Sequence, residues 1–242
     1  MMTSTTNLPA INVYPPKGGG SADSGYWGGA LASAGSGDFA GPREDTGEPI
    51  EDVPDPEWDE IYLFLAWNPQ LLKLGQNVIN IVLSDRAFSK DLKQFLEAGG
   101  MIQPTPGMTH QADFYNGVIR IRQDFVDSGI ADFQESKYTA TLLIHEVGHS
   151  RDTRQYVPPA SPDEMAEWYL HGEVLAGLYQ LLHWHISRGE TGVTAGDYNN
   201  GYTAMYLNFM SHGNLDQLLN EMKAQFRQHQ QQQMQAWRDL YQ

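Results

Sequence analysis

The chain has 242 residues, of which 40% are hydrophobic and 11% aromatic, enough to bury the core of one domain of ordinary size. Its formal net charge of −15 argues against a nucleic-acid partner, because binding to phosphate depends on clustered Lys and Arg. The chain contains no cysteine, which excludes disulfides, thiolate metal sites and cysteine nucleophiles, so any metal must bind to His, Asp or Glu.

Residues 1–54 differ in composition from the rest and predict a disordered leader. The stretch "PPKGGGSADSGYWGGALASAGSGDFAGP" is rich in Gly, Ser, Ala and Pro, has no helix or strand period, and is followed by a run of acidic residues. We therefore place the folded domain at residues 55–242. A spacer is the simpler interpretation of the leader, and a secretion or docking segment is the alternative.

The sequence contains neither a standard secretion signal nor a candidate membrane span. Its N-terminus lacks the basic and apolar regions of a secretory signal peptide, and no apolar run reaches the length of a membrane span. We expect a protein that is made in the cytoplasm and has no membrane-spanning segment. If it is secreted or delivered into another cell, the route is not encoded in a standard signal.

The first part of the domain predicts three helices and then a hairpin. The helices are "PEWDEIYLFLAW", "NPQLLKLGQNVINIVLSD" and "SKDLKQFLEAGG", of which the last two end at Asp85 and at Gly99 and Gly100. In "ADFYNGVIRIRQDF", two short apolar runs flank Asn116 and Gly117, a pair that is the strongest local signal of a β-hairpin. The pattern thus changes from helix to strand near the middle of the chain.

The second part of the domain returns to helices. One covers "SKYTATLLIHEVGHSRDT". The next, "SPDEMAEWYLHGEVLAGLYQLLHWHISRG", begins with Ser161 as N-cap, Pro162 in the first turn and Glu164 as the capping-box acid, and it ends at Gly189. The tail from residue 213 to residue 242 predicts one polar helix. We therefore expect a helix-dominated α+β fold.

The stretch "TLLIHEVGHSRD" contains candidate metal ligands and a candidate general base. On a helix, His145 and His149 lie on one face and can bind one ion, and Glu146 is turned toward the same cleft, where it can take a proton from an attacking water. Zinc suits this set because it accepts imidazole and carboxylate ligands. The alternative is a buried helix with two incidental histidines. Gly148 favours the metal site, because a helical glycine costs about 1 kcal/mol relative to alanine and lets a second element approach.

A zinc site needs a third protein ligand. A metzincin would have glycine and histidine at the positions of Asp152 and Gln155, which excludes that class. Glu173 is the best candidate, because it lies in the middle of the following helix, where the small Ala176 and Gly177 allow close packing. Three competitors lie on the same helix: Glu164, Glu167 and His171.

Two further residues are predicted to support the site. Asp152 follows His149 by three positions and can accept the free ring N–H of a ligand histidine, and a solvated acid is the alternative. Tyr169 lies one turn before Glu173 and is the candidate donor to the oxyanion. Other residues predict packing or surface roles: His183 and His185 at an interface or the surface, and Tyr198, Tyr202 and Tyr206 in a core stripe.

The segments "HEVGHSRD" and "EVLAGLY" together resemble the gluzincin metallopeptidases, and within them the lethal-factor-like group and small bacterial effector or toxin metallopeptidases. The resemblance implies a zincin-like fold, in which the edge strand of a small sheet lies beside the substrate; the hairpin can supply that strand. It also implies a zinc-dependent endopeptidase with one catalytic zinc on His145, His149 and Glu173 and with Glu146 as the general base.

The partners implied are a protein or peptide substrate and a cognate inhibitor or host target protein, as for a toxin delivered into another cell. Two rival classes stay open. One is a zinc hydrolase whose substrate is not a polypeptide, and the other is a non-catalytic helical binding module. Stoichiometric zinc in the purified protein separates an enzyme from the binding module, and cleavage of peptides separates the two kinds of hydrolase.

Overall fold

The computed structural model describes residues 55–152, 154, 157–187, 205, 208–209 and 213–241. Over these residues the chain is dominated by helices and has one small mixed sheet, which confirms the predicted α+β class. Several predictions lie outside the described residues: the leader at 1–54, the helix end at Gly189, the side chain of His185, and Tyr198, Tyr202 and Tyr206.

Four helices precede the sheet: α1 (Pro56–Ala66), α2 (Pro69–Leu72), α3 (Gln76–Ser84) and α4 (Arg86–Glu97). The strands are β1 (Met101–Thr105), β2 (Ala112–Tyr115) and β3 (Val118–Arg122). After the sheet come α5 (Gln123–Ala131), α6 (Phe133–Ser150), α7 (Pro162–Ser187), α8 (Leu215–His229) and α9 (Gln231–Asp239). Within the described ranges, no helix is both long and apolar enough to cross a membrane.

The single helix predicted over "NPQLLKLGQNVINIVLSD" is wrong, because the structure divides it into α2 and α3. The break falls at Gly75, whose φ of +96° is a conformation that L-residues with side chains rarely adopt. A Cβ atom at this position would also lie only 2.8 Å from Cγ1 of Ile130. The tail is likewise two helices, α8 and α9, which are separated at Gln230.

The predicted hairpin is confirmed, and a third strand joins it. Asn116 and Gly117 both have positive φ, 49° and 76°, as the tight turn between β2 and β3 requires. The sheet order is β1-β3-β2, with β1 parallel and β2 antiparallel to β3. The sequence did not predict β1, which contains Pro104, but a proline is tolerated on an edge strand. Helix α5 was also not predicted.

The ends of α6 and α7 are set by capping residues. Asp132 accepts hydrogen bonds from the backbone N–H groups of Gln134 and Glu135, so α6 begins three residues earlier than "SKYTATLL" suggests. At the start of α7, Oγ of Ser161 accepts from the N–H of Glu164 at 3.2 Å, as predicted. The Glu164 carboxylate accepts from the N–H of Ala160 at 2.7 Å, one residue before the expected partner.

Helices α6 and α7 pack against each other at the centre of the domain, and a buried polar network fixes α7 against α4. The Tyr179 hydroxyl donates to Asp91 at 2.8 Å, and His183 Nδ1 lies 2.9 Å from the Asp85 carboxylate. The prediction that His183 lies at an interface or the surface is wrong, since its side chain is 2% exposed. The ring also packs edge-on against Phe88. A buried imidazole needs a polar partner, and the carboxylate of Asp85 provides it.

Candidate metal centre

The two histidines of the motif lie on one face of α6. Their ring centroids are 4.9 Å apart, and the exposed fractions of their side chains are 21% for His145 and 20% for His149. Leu143, Ile144 and Val147 on the other faces are buried, which stabilises the helix by about 1.5–3 kcal/mol for each side chain. This burial fixes the rotation of α6 and holds both imidazoles in the cleft that faces α7.

The carboxylate of Glu173 on α7 meets both imidazoles. Its Oε2 lies 3.4 Å from His145 Nε2, and its Oε1 lies 3.7 Å from His149 Nε2. One ligand atom from each of the three residues lies within 4.8 Å of the others. Tetrahedral zinc with bonds of about 2.0–2.1 Å has ligand atoms roughly 3.3–3.4 Å apart. The three side chains therefore fit a metal ion with small adjustments.

The three competitors for the third ligand have other partners. Glu164 caps the first turn of α7. Glu167 forms two hydrogen bonds with the guanidinium of Arg227, at 2.8 and 2.6 Å. His171 Nδ1 lies 2.7 Å from Lys223 Nζ. Of the four candidates on α7, Glu173 is the one that the structure brings to His145 and His149.

Gly148 sets the distance between the two helices that carry the candidate ligands. A Cβ atom at this position would lie 3.0 Å from Cα of Ala176 and 3.2 Å from the side chain of Tyr179. The sequence predicted close packing at Gly148 and, separately, at Ala176. In the structure these two residues form one contact, in which Gly148 of α6 packs against the backbone of α7. The close contact brings Glu173 within reach of the histidines.

We expect Gly148→Val to destabilise the protein by about 1–3 kcal/mol, because two methyl groups would press against the backbone of α7. The same change should weaken metal binding, since it moves Glu173 away from α6. Urea denaturation and a metal competition assay measure the two effects. The matched control is Gln134→Val, at an exposed position of the same helix. Unchanged stability and metal affinity in Gly148→Val would contradict the proposed contact.

Burial and the neighbouring charges set the protonation states of the three candidate ligands. Burial lowers the pKa of His149 to about 4, so its imidazole is neutral near pH 7. Burial also acts to lower the pKa of His145, but the hydrogen bond to Glu173 and the charges of Glu146 and Glu173 outweigh it, and this pKa is raised. Burial acts to raise the pKa of Glu173, yet the two histidines lower it overall. The side chain of Glu173 is therefore an ionised carboxylate.

Glu146 lies beside the ligands in a different environment. Its side chain is buried, and burial is the main cause that raises its pKa to about 8; His145 opposes the shift, and Glu173 and Asp113 add to it. The influence of Asp113 shows that β2 lies close to Glu146. Asp113 is itself held by hydrogen bonds from Arg120 and His110. A carboxyl group with a pKa near neutrality can both accept and return a proton.

The structure corrects the partner predicted for Asp152. Both carboxylate oxygens accept hydrogen bonds from Arg154, at 2.9 Å from Nε to Oδ1 and 2.5 Å from Nη2 to Oδ2. No hydrogen bond among the described residues joins Asp152 to a histidine of the motif. Its negative charge still acts on His149 and favours the protonated imidazole. The guanidinium of Arg154, two residues along the chain, donates two N–H groups to the carboxylate, whereas an imidazole ring could donate only one.

The structure also places Tyr169 in the core. Its ring is 8% exposed and stacks on Trp237 of α9, with centroids 5.7 Å apart and an interplanar angle of 21°. Trp168 also packs edge-on with this ring. This packing joins α7 to α9 and accounts for the residue, so the predicted role as oxyanion donor has no support from its surroundings.

Sequence reasoning missed Gln180 of α7. Its Nε2 donates to the carbonyl of Thr141 at 3.1 Å, and its side chain forms a hydrogen bond with His145 that raises the pKa of the imidazole. A hydrogen bond to the ring orients a metal-binding histidine and selects its tautomer. The available signal was spacing, because Gln180 follows Glu173 by seven residues and so lies on the same helix face.

No protein-family model, no curated protein and no solved structure matches this chain.

Proposed function

We propose that the protein is a zinc-dependent endopeptidase. The observation that carries the proposal is the convergence of His145, His149 and Glu173 on one point, with the carboxyl group of Glu146 buried beside it. Two imidazoles and one carboxylate form a ligand set of catalytic zinc, with an open fourth position. Magnesium and calcium prefer oxygen ligands, so the donor atoms favour zinc over both.

A zinc ion, when bound, supplies Lewis acidity that polarises the scissile carbonyl group and acidifies the attacking water. The chain's own residues do the rest. A carboxylate oxygen of Glu146 accepts the proton of the water and then delivers it to the nitrogen of the leaving amine. Gln180 holds the ring of His145, and the Asp152–Arg154 pair places balanced charge beside His149.

An extended peptide is the substrate class that the surroundings support. Strand β2 is an edge strand, paired with β3 alone among the described strands, and α6 packs against it. Its Asp113 lies close enough to Glu146 to influence the pKa of that carboxyl. A peptide can add to a free strand edge through backbone hydrogen bonds. A peptide bound along β2 would lie beside Glu146, the proposed general base. The position of this sheet edge next to α6 supports a zincin-like arrangement.

The proposal also includes secretion as a bacterial effector or toxin, acting on a host target protein and controlled by a cognate inhibitor. This part is supported by the resemblance of the two motif segments alone.

The test uses the purified full-length chain. Metal content after dialysis is expected to be about one zinc per chain, and incubation with a peptide library and unfolded proteins is expected to give cleavage that a chelator stops and added zinc restores. Zinc without cleavage of any polypeptide would favour a hydrolase of another substrate class. A protein without stoichiometric zinc would favour a helical binding module.

A further inference from the structure

Three basic side chains gather beside the metal centre of a chain whose net charge is −15. Two of them are neutralised by carboxylates. Arg154 binds Asp152, and Arg227 binds Glu167, each through two nitrogen atoms of the guanidinium. The third is Lys223 of α8, which forms no ion pair with a carboxylate of the described residues. The group therefore carries one uncompensated positive charge.

The only hydrogen-bond partner of Lys223 in the described structure is the imidazole of His171, with Nζ 2.7 Å from Nδ1. An ammonium group can only donate, so Nδ1 accepts and the ring is the tautomer with its proton on Nε2. Lys223 retains two further N–H donors, and His171 Nε2–H is a third. Burial is the main cause that lowers the pKa of Lys223; the charge of Glu167 opposes the shift, and those of Arg154 and Arg227 add to it.

This group of donors adjoins the metal ligands. A Cβ atom at Gly172 would lie 3.4 Å from Arg154 Nη2, 3.8 Å from Asp152 Oδ2 and 3.9 Å from His149 Nδ1. His171 and Glu173 are two residues apart and so point to different faces of α7. The Asp152–Arg154 pair acts on both His149 and His171, and it therefore lies between the metal ligands and the contact of Lys223 with His171. Arg154 Nη2 also donates to the carbonyl of Trp168 at 3.1 Å, which fixes the segment after α6 against α7.

We propose that Lys223 and His171 bind a carboxylate of the peptide substrate, so that the enzyme prefers peptides with an acidic group near the scissile bond. The inference rests on the proposed peptidase function. The carboxylate belongs either to an Asp or Glu side chain or to the C-terminus of the peptide. An otherwise acidic surface repels acidic peptides, and a local cation at the site gives them a place to bind with selectivity.

The first experiment measures selectivity. Peptides that are cleaved by the wild type are compared in pairs, Glu against Gln at each position and a free against an amidated C-terminus, with the wild type, Lys223→Met, Lys223→Arg and Lys73→Met. Lys73 is an exposed lysine at the end of α2. We expect the preference for the carboxylate member of one pair to fall about tenfold in Lys223→Met and to persist in Lys223→Arg and Lys73→Met. The pair affected identifies the source of the carboxylate.

The second experiment does not depend on cleavage. The histidine ring resonances of the full chain are followed by NMR during titration with N-acetylglutamate amide, and with the corresponding glutamine derivative as control. A saturable shift of the His171 signal, assigned with His171→Gln, is expected in the wild type and not in Lys223→Met. This shift without any peptide cleavage would leave the carboxylate site standing and refute the peptidase. Cleavage with unchanged selectivity in Lys223→Met, or equal effects of Lys73→Met, would overturn the carboxylate site.

Discussion

Glu146→Gln is expected to reduce peptide hydrolysis by about 100- to 10,000-fold, with the metal content unchanged. The amide has nearly the shape of the carboxyl group but cannot accept the proton of the attacking water. Because Glu146 is buried and does not belong to the ligand set, its replacement leaves His145, His149 and Glu173 in place. The measurements are kcat for a cleaved peptide and zinc per chain by elemental analysis.

The matched control for this experiment is Glu135→Gln, an exposed glutamate in the first turn of the same helix. It should keep the activity and the zinc content of the wild type, which shows that the loss does not follow from the charge change as such. Equal thermal stability of both variants rules out unfolding as the cause. If Glu146→Gln turned over at the wild-type rate, another group would have to act as the base.

The sequence was most informative where short-range rules decide the structure. The spacing of His145 and His149 fixes their common face as soon as the segment is helical. The turn at Asn116 and Gly117 is likewise decided locally, because few residue pairs adopt positive φ at two successive positions. Glu173 could be chosen because small residues on its helix predicted the close approach that Gly148 makes.

Long-range packing decided the features that were not predicted. Strand β1 is specified by its parallel pairing with β3, and its own sequence, "MIQPT", carries a proline that speaks against a strand. At the break, Gly75 packs against Ile130 of α5, more than fifty residues away in sequence, and leaves no room for a side chain. A glycine inside an apolar pattern does not show by itself whether the helix continues through it.

Side-chain partners within the site were also beyond the sequence. Asp152 is close to His149 in sequence, but its hydrogen-bond partner is Arg154. The path of the chain after α6 brings the guanidinium to the carboxylate, and the sequence does not show that path. Tyr169 and Glu173 lie one turn apart, yet α9 packs over Tyr169 and leaves Glu173 in the cleft. A helix face can be predicted from spacing, whereas the element that covers it is known only from the fold.

Glu173→Ala is expected to weaken zinc binding by more than about 100-fold, because changes outside the ligand set alone cost about 10- to 100-fold in metal affinity. The variant removes one of the three proposed ligands, an ionised carboxylate whose oxygen atoms lie 3.4 Å from His145 Nε2 and 3.7 Å from His149 Nε2. The measurement is a competition titration against a chromophoric chelator at neutral pH. Peptide hydrolysis should fall in parallel at limiting zinc.

Two glutamates on the same helix provide the controls for Glu173→Ala. Glu164→Ala loses the hydrogen bond to the N–H of Ala160 while Ser161 still caps α7, which costs about 1 kcal/mol of stability, and Glu167→Ala loses an exposed ion pair with Arg227 that is worth about 0–1 kcal/mol. Neither side chain reaches the histidines, so both variants should bind zinc as the wild type does. Equal zinc affinity in all three variants would show that the third ligand is a different residue and that the contact of Glu173 with the two imidazoles serves only to join α6 to α7.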